Sequence, residues 1–212
     1  MNSTVVITCG PASEPIDRVR RITNFSTGEL GVLLAEAFAQ TGRRVICCKG
    51  AGATWRSPRP PISMRRFITN DDLLSILRNI SQSENVSAIY HAAALADFRV
   101  AEITSDAGNP LPAGKIPSSI RELNLKLVPA PKVISHLRDL FPTATIIAWK
   151  YELEGSRNEV VEKGLRQIAE NRTNACVLNG AAYGPGFGIT TANGHLIHCP
   201  DKSALVQNLI KA

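Results

Sequence analysis

The 212-residue sequence lacks the features that mark several protein classes. Aromatic residues make up only 5% of the chain and do not alternate with basic residues, so no base-stacking surface for nucleic acid is indicated. The five cysteines are an odd number without a Cys-x-x-Cys pair, which indicates neither a disulfide framework nor a zinc ribbon. No apolar run approaches the roughly 18 residues that a transmembrane helix needs.

Two phosphate-binding signatures are also missing. The sequence has neither the Gly-x-Gly-x-x-Gly fingerprint of dinucleotide-binding folds nor the Walker P-loop, which weakens the case for a nicotinamide oxidoreductase. His195, His198 and Cys199 are close in sequence, but on a strand His198 would point away from the other two. We therefore predict no metal site there.

What the chain does have is enough apolar sequence for a folded core. Hydrophobic residues make up 44% and charged residues 20% of it, which is typical of a globular protein. The first predicted strand begins within five residues of Met1 and leaves no room for a signal peptide. We expect a cytoplasmic protein without membrane association.

The formal net charge is +6, from 24 basic and 18 acidic residues. Such an excess favours anionic partners, among them nucleotides and phosphorylated metabolites. The basic residues occur as scattered pairs, such as Arg43-Arg44 and Arg65-Arg66, and not as one run. Nucleic acid is therefore not the favoured partner.

Strand and helix patterns alternate along the chain, which predicts an open, doubly wound α/β fold with a mostly parallel, Rossmann-like sheet. We expect one domain over residues 1–212. The predicted strands are 5–7, 45–48, 87–94, 144–149 and 175–178. The predicted helices are 31–40, one capped by residues 70–72, 131–140, one capped by Ser156 and ending near 170, and one capped by Asp201.

Ligands of such sheets bind beyond the carboxyl ends of the strands. Three segments follow predicted strands there: 8–31, 92–115 and 179–188. The first includes Asn24–Gly28, which offers an amide, two hydroxyls and a glycine at the start of a helix. The second has no long apolar stretch, and we predict a functional flap around residues 100–120 in place of a helix.

Four segments stand out as a set: 8–31 (with TCGPASEPID and VRRITNFSTGELG), 92–98 (AAALADF), 114–119 (GKIPSS) and 127–132 (LVPAPK). They resemble, in the family's order, the phosphopantothenoylcysteine synthetases of coenzyme A biosynthesis. The absence of a flavin-binding decarboxylase half makes the chain similar to the free-standing form. The resemblance therefore implies no FMN.

The resemblance implies a ligation in two steps. The carboxylate of 4′-phosphopantothenate attacks the α-phosphate of CTP or ATP with Mg²⁺, and pyrophosphate leaves. The amine of L-cysteine then attacks the acyl-nucleotidylate and releases the nucleoside monophosphate. Members of the family are homodimers in which a flap closes the partner's site, a part that residues 106–115 fit here.

The resemblance also implies roles for individual residues. Lys115 would stabilise charge during nucleotidyl transfer, and Asn24 would serve the second step. The implied nucleotide-binding residues are Gly10, Ser26, Thr27, Gly28, Ala93, Ala94, Asp97, Lys132 and Lys150, and the implied substrate-binding residues are Asn24 and Asn179.

The sequence departs from the family pattern at two places. Pro11 replaces a family glycine, and Lys115-Ile-Pro-Ser stands where many bacterial relatives have a lysine-rich segment. The second difference leaves both CTP and ATP open. Two other functions on the same fold remain as alternatives: a nucleotide-binding oxidoreductase, and a non-catalytic module that binds nucleotide or nucleic acid.

Overall fold

An eight-stranded sheet forms the centre of the protein. A computed structural model describes residues 3–59, 61–111 and 114–211. The strands are β1 (Thr4–Cys9), β2 (Ser13–Pro15), β3 (Arg21–Thr23), β4 (Arg44–Gly50), β5 (Ser63–Phe67), β6 (Val86–His91), β7 (Phe98–Ser105), β8 (Leu123–Pro129), β9 (Thr145–Tyr151), β10 (Ala175–Asn179), β11 (Phe187–Thr191) and β12 (Leu196–Cys199). The helices are α1 (Glu29–Gln40), α2 (Asn70–Ser83), α3 (Val133–Leu140), α4 (Arg157–Asn171) and α5 (Lys202–Lys211).

The strand order of the large sheet is β12-β11-β10-β9-β6-β1-β4-β5. The six strands from β10 to β5 are parallel, and β11 runs antiparallel to both of its neighbours. The connections leave β1 and β6 in opposite directions, so the strand order reverses between them. A crevice for ligands opens at such a switch point. The predicted open, doubly wound fold is confirmed.

Helices cover both faces of the sheet. Helices α1 and α5 pack on one face, and α2, α3 and α4 pack on the other. Every residue of β1 is buried, as expected for a strand that is covered on both sides. Gly31 lets α1 approach β1 closely, because a Cβ at this position would lie 2.2 Å from the Cβ of Cys9.

Several predicted boundaries shift for local reasons. Helix α2 is capped by Thr69, whose hydroxyl accepts from the N–H of Asp72, so Asn70 is the first helical residue and not the cap. Strand β6 ends at His91 and not at the predicted end, Ala94. After His91 the chain leaves the sheet, and Ala94 pairs with Pro11 through a single bridge. The predicted caps at Ser156 and Asp201 are confirmed.

The predicted flap contains a strand that the sequence analysis missed. Strands β7 and β8 form an antiparallel two-stranded ribbon, called the arm below. Residues 106–111 and 114–120 lie in turns and irregular chain, so the expectation of no helix holds for this part. Pro112 and Ala113 fall outside the described residues.

The arm is amphipathic. Its cross-strand pairs Phe98–Pro129 and Val100–Leu127 lie on one face, and Glu102 and Lys126 pair on the other. Phe98 and Leu127 are exposed. None of the helices within 3–59, 61–111 and 114–211 is long and apolar enough to cross a membrane.

Candidate active site

The switch point is held together by backbone hydrogen bonds between two loops. The N–H of Ala94, in the loop after β6, donates to the carbonyl of Gly10, in the loop after β1, at 3.0 Å. The N–H of Ala12 donates in turn to the carbonyl of Ala94, also at 3.0 Å. The two loops that the sequence analysis expected near a ligand are therefore in contact.

On the α1 side of this junction Gly28, at the start of α1, packs against Gly10. We call the region of Gly10 and residues 24–28 the α1 crevice below, because ligands of such folds bind at the switch point. Gly10 and Gly28 both have a left-handed backbone, with φ of 78° and 77°. A Cβ at Gly10 would lie 2.7 Å from the Cβ of Ala53, and one at Gly28 would lie 3.0 Å from it. Glycine is therefore needed at both positions for backbone conformation and for space.

Asn24 lies at the boundary of the α1 crevice. Its side-chain amide donates to the carbonyl of Leu95 at 2.7 Å, which fixes the side chain against the loop after β6. The second N–H of this side-chain amide and its Oδ1 atom have no hydrogen bond to another described residue. Ser26 is half-buried, and the hydroxyl of Thr27 accepts from the N–H of Glu29 at 3.2 Å. The N-cap of α1 is Gly28, which has no side chain, so the Thr27 hydroxyl satisfies the N–H of the first helical residue from one position earlier.

On the opposite face of the sheet, between β6, β9, α3 and α4, lies a cavity of about 560 Å³. Four of the predicted nucleotide-binding residues line it: Ala93, Asp97, Lys132 and Lys150. We call it the cationic cavity. Gly10, Asn24, Ser26, Thr27, Gly28, Ala94, Lys115 and Asn179 do not line it.

The charges of the cationic cavity come partly from residues that the sequence analysis missed. Helix α4 contributes Lys163 and Arg166, and the loop after β9 contributes Glu152. Glu152 lies between two lysines, with the Nζ atoms of Lys163 at 2.5 Å and Lys150 at 3.2 Å from its oxygens. The hydrogen bond from Lys163 lowers the pKa of Glu152, and Lys150 adds to this against the opposing effect of burial.

A pattern in the sequence could have revealed this wall. Five polar residues of α4 line the cavity at helical spacing, which forms a second stripe beside the apolar one. They are Lys163, Arg166, Gln167, Glu170 and Asn171. Four cationic side chains line the cavity against three carboxylates, so its net charge is only one positive.

Asn70, the first residue of α2, connects two loops that line the cavity. It is 1% exposed, and its amide donates to the carbonyls of Ala96 at 2.7 Å and Pro131 at 3.0 Å. Its side-chain oxygen accepts from the N–H of Ala96 at 3.2 Å. Asn70 thus ties the loop after β6 to the start of α3. Sequence reasoning assigned it only a capping role, because its long-range partners cannot be read from the sequence.

Lys115 lies away from the cationic cavity, in a segment that packs on the β2–β3 turn. Its side chain is exposed and has no hydrogen bond or ion pair within the described part of the chain. The neighbouring Ile116 is 1% exposed, and its N–H donates to the carboxylate of Asp17 at 3.2 Å. The guanidinium of Arg20 donates to the carbonyl of Ile116 and forms an ion pair with Asp17 at 2.7 Å.

Asn179 ends β10 and lies on the sheet face of α1 and α5, opposite the cationic cavity, because it alternates in phase with Val177. Over 3–59, 61–111 and 114–211, no three His, Cys, Asp or Glu side chains are grouped to hold a metal ion. His198 instead contacts the hydroxyl of Tyr183 at 3.2 Å and the guanidinium of Arg157 at 3.3 Å.

Comparison with known families shows which family this chain belongs to. Residues 1–211 match the DNA/pantothenate metabolism flavoprotein C-terminal domain family. The chain belongs to this family. The resemblance to the synthetase part of coenzyme A biosynthesis enzymes is therefore confirmed.

Curated relatives of this domain are bifunctional. The coenzyme A biosynthesis bifunctional protein CoaBC of Methanocaldococcus jannaschii is 31% identical over 177 residues, which cover 82% of this chain and 40% of that protein. The protein of the same name from Bacillus subtilis is 28% identical over 215 residues, which cover 95% of this chain and 48% of that protein. The chain spans less than half the length of these two relatives.

Solved structures share the fold. The DNA/pantothenate metabolism flavoprotein from Streptococcus pneumoniae superposes with a TM-score of 0.85 at 24% identity, covering 99% of this chain and 97% of that one. A Cab2 mutant in complex with phosphopantothenate-cysteine superposes with a TM-score of 0.75 at 18% identity, covering 99% of this chain and 85% of that one. At these identities, the likeness supports the fold.

The role of Asn70 leads to a prediction about stability. Asn70→Ala removes three buried hydrogen bonds, each worth about 0.5–1.5 kcal/mol, so we expect the free energy of unfolding to fall by about 2–4 kcal/mol. Asn79→Ala, on the exposed side of the same helix, is the control and should change it by less than about 0.5 kcal/mol. Urea unfolding measures both, and equal effects of the two variants would contradict the assignment.

The Asp17 contacts lead to a prediction about pH. Burial raises the pKa of Asp17, but hydrogen bonds from three backbone N–H groups and the charge of Arg20 outweigh burial and lower the pKa to about 2. Because the folded state favours the carboxylate, its stabilising effect is complete above the ordinary pKa of 3.8 and is lost as the pH falls through about 2.

Asp17→Asn should therefore lower stability by a constant amount at neutral pH, and the difference from wild type should shrink below about pH 4. The amide of Ile116 should also exchange faster with deuterium, since its acceptor is weakened. Asp106→Asn, at an exposed turn of the predicted flap, is the control. A stability difference that grows as the pH falls would contradict this explanation.

Proposed function

We propose that this domain joins 4′-phosphopantothenate to L-cysteine at the expense of a nucleoside triphosphate. A carboxylate oxygen of phosphopantothenate attacks the α-phosphorus, and the bond to pyrophosphate breaks. The cysteine amine then attacks the acyl carbon, and the nucleoside monophosphate leaves with the bonding electron pair. The amine loses one proton in forming the amide.

The observation that carries this proposal is that the cationic cavity and the α1 crevice meet at one segment of the chain. Leu95 lines the cavity, and its carbonyl accepts the amide of Asn24 at the edge of the crevice. Ala93 lines the cavity, while Ala94 pairs with Gly10. Two anionic substrates on either side of residues 93–95 would be brought together, which supports a reaction between them.

In this proposal the triphosphate binds in the cationic cavity, where Lys132, Lys150, Lys163 and Arg166 offset its charge. A triphosphate carries about four negative charges and the cavity has an excess of one positive charge, so Mg²⁺ would enter with the nucleotide. Asp97 and Glu170 are the two lining carboxylates without a side-chain hydrogen bond to another described residue. Asp97, in the loop after β6, suits a ligand of that Mg²⁺.

The phosphopantothenate binds in the α1 crevice, in this proposal, with Gly10, Ser26, Thr27 and Gly28 near its anionic groups. This moves those four residues from the predicted nucleotide site to the acyl substrate, because they do not line the cationic cavity and lie on the other side of residues 93–95. Asn24 would then hold the acyl-nucleotidylate while cysteine attacks. As the resemblance implies, we expect the reaction to need no flavin, and we expect it to take place in the cytoplasm.

The experiment is an assay of the purified protein with 4′-phosphopantothenate, L-cysteine and Mg²⁺, with CTP or ATP added in turn. We expect pyrophosphate release that depends on phosphopantothenate, and formation of phosphopantothenoylcysteine when cysteine is added. Thermal stabilisation by each triphosphate, compared with NAD and an oligonucleotide, reports binding independently of turnover. Stabilisation by NAD or the oligonucleotide alone would overturn the ligase proposal in favour of the two other functions.

The division of labour between Lys115 and Asn24 is testable in single turnovers. Lys115 lies away from the cationic cavity of its own chain, so in this proposal it acts on a triphosphate bound in the partner's cavity. Lys115→Gln should then slow formation of the acyl-nucleotidylate, whereas Asn24→Asp should let the intermediate form and accumulate. Quenched-flow separation of the nucleotide species measures both steps. Equal loss of both half-reactions in both variants would refute separate roles.

We further propose that a second copy of the chain covers the apolar face of the arm. A two-stranded ribbon is only marginally stable by itself, and this one exposes Phe98 and Leu127 on one face. A twofold axis would bring identical apolar faces together. The same contact would carry residues 106–115 towards the partner.

Leu127→Arg should therefore convert a dimer into monomers, since it places a charge on the apolar face. Lys126→Ala, on the opposite face of the same strand, should leave the dimer intact. Light scattering after size-exclusion chromatography gives the mass of each variant. A monomeric wild-type protein, or a dimer in both variants, would contradict this interface.

A further inference from the structure

His91 is a buried histidine in the wall of the cationic cavity, and the reaction described above does not use it. It ends β6 and is 7% exposed. Its Nδ1 atom lies 2.8 Å from the hydroxyl oxygen of Thr8, on the neighbouring strand β1. A buried ring that reaches a ligand cavity is available to contact what binds there.

The hydrogen bonds of Thr8 determine which ring nitrogen of His91 carries the proton. The Thr8 hydroxyl, which is fully buried, already accepts from the N–H of Ala93 at 3.3 Å. The hydroxyl proton has one acceptor among the described residues, the Nδ1 atom of His91. Leaving that buried proton unpaired is unfavourable, so Nδ1 accepts and Nε2 carries the hydrogen.

The Nε2–H group of His91 has no hydrogen-bond partner in the described part of the chain. Nε2 is also not among the buried atoms without a partner, which are Trp55 Nε1, Trp149 Nε1, Thr173 Oγ1 and Thr190 Oγ1. Nε2 is therefore accessible, and His91 lines the cavity. Burial lowers the pKa of the ring to about 4, so it is neutral near pH 7.

Most cations of the cavity come from other elements than the residues near His91. Ala93 and Val133, at the start of α3, are small or apolar, with Lys132 as the one cation beside them. The other three cations, Lys150, Lys163 and Arg166, come from β9 and α4. A nucleotide fits this division, since its base and sugar are uncharged and its phosphates are not.

We propose that the Nε2–H of His91 donates a hydrogen bond to an uncharged acceptor on the nucleoside part of the bound nucleotide. Thr8 is the positioning residue that holds the ring in the required tautomer. This inference rests on the proposed binding of a triphosphate in the cationic cavity. His91 thereby contributes to recognition of the nucleoside while the cations of β9 and α4 bind the phosphates.

Calorimetric titration separates the two parts of the ligand. The probes are CTP, ATP and inorganic tripolyphosphate, each with Mg²⁺. His91→Leu should weaken the nucleotide that wild type binds about three- to tenfold, the value of one neutral hydrogen bond, and leave tripolyphosphate unchanged. His91→Gln should retain most of the affinity, because its amide nitrogen can occupy a position near that of Nε2. His136→Leu, at an exposed histidine of α3, is the matched control.

Nitrogen-15 NMR of the wild-type protein tests the tautomer without any variant. We expect the Nε2–H form of His91 in the free protein, a shift of Nε2 when nucleotide is added, and none with tripolyphosphate. Thr8→Val should increase the fraction of the other tautomer.

Unchanged nucleotide affinity in His91→Leu, or an equal loss for tripolyphosphate, would overturn the proposal for His91 alone. Should His91→Leu fail to fold, His91→Gln and the NMR shifts decide the question. Wild-type protein that binds no triphosphate would overturn both proposals. Nucleotide binding without ligation would overturn the ligase reaction and leave the role of His91 standing.

Discussion

The arrangement of the site depends on the paired loops at the switch point. The hydrogen bonds between Gly10, Ala12 and Ala94 extend the contact of β1 and β6 beyond the ends of the strands. This pairing holds the loop after β6, whose residues line one part of the cationic cavity. Ala93 and Asp97 face the cavity because Ala94 is held, and Asn70 fixes the same loop from α2. The glycines of the α1 crevice then pack against the opposite side of the junction.

The sequence allowed the fold to be predicted, and it singled out four of the residues that line the cationic cavity. Buried strands such as β1 and capped helices such as α4 depend on local patterns, and local patterns can be read directly. The two-sided cavity depends on contacts between distant residues. Glu152 and Lys163 meet only when β9 and α4 are packed, and no spacing in the sequence encodes that meeting. The sequence analysis missed the strands of the arm because they form a separate two-stranded sheet. They are therefore not buried on both faces like the strands of the main sheet.

Single residues show the same limit. Asn70 follows a normal helix-start pattern, and only the fold reveals its bonds to Ala96 and Pro131. Asn179 follows a strand as expected, but its position in the alternation of β10 places it on the face opposite the cavity. Lys115 was predicted in a loop and lies in one. Its place is fixed through Asp17, which acts on the neighbouring Ile116. The functional roles of these residues stay predictions.

We propose that the two sides of the paired loops bind different substrates, with the triphosphate in the cationic cavity and the acyl substrate in the α1 crevice. The most direct measurement is a crystal structure of the protein with a non-hydrolysable triphosphate, Mg²⁺ and phosphopantothenate. We expect phosphate oxygens within hydrogen-bond distance of Lys150 or Lys163 and the nucleoside against His91. A triphosphate seated on Gly10 and Gly28, with the cationic cavity filled only by water, would contradict it.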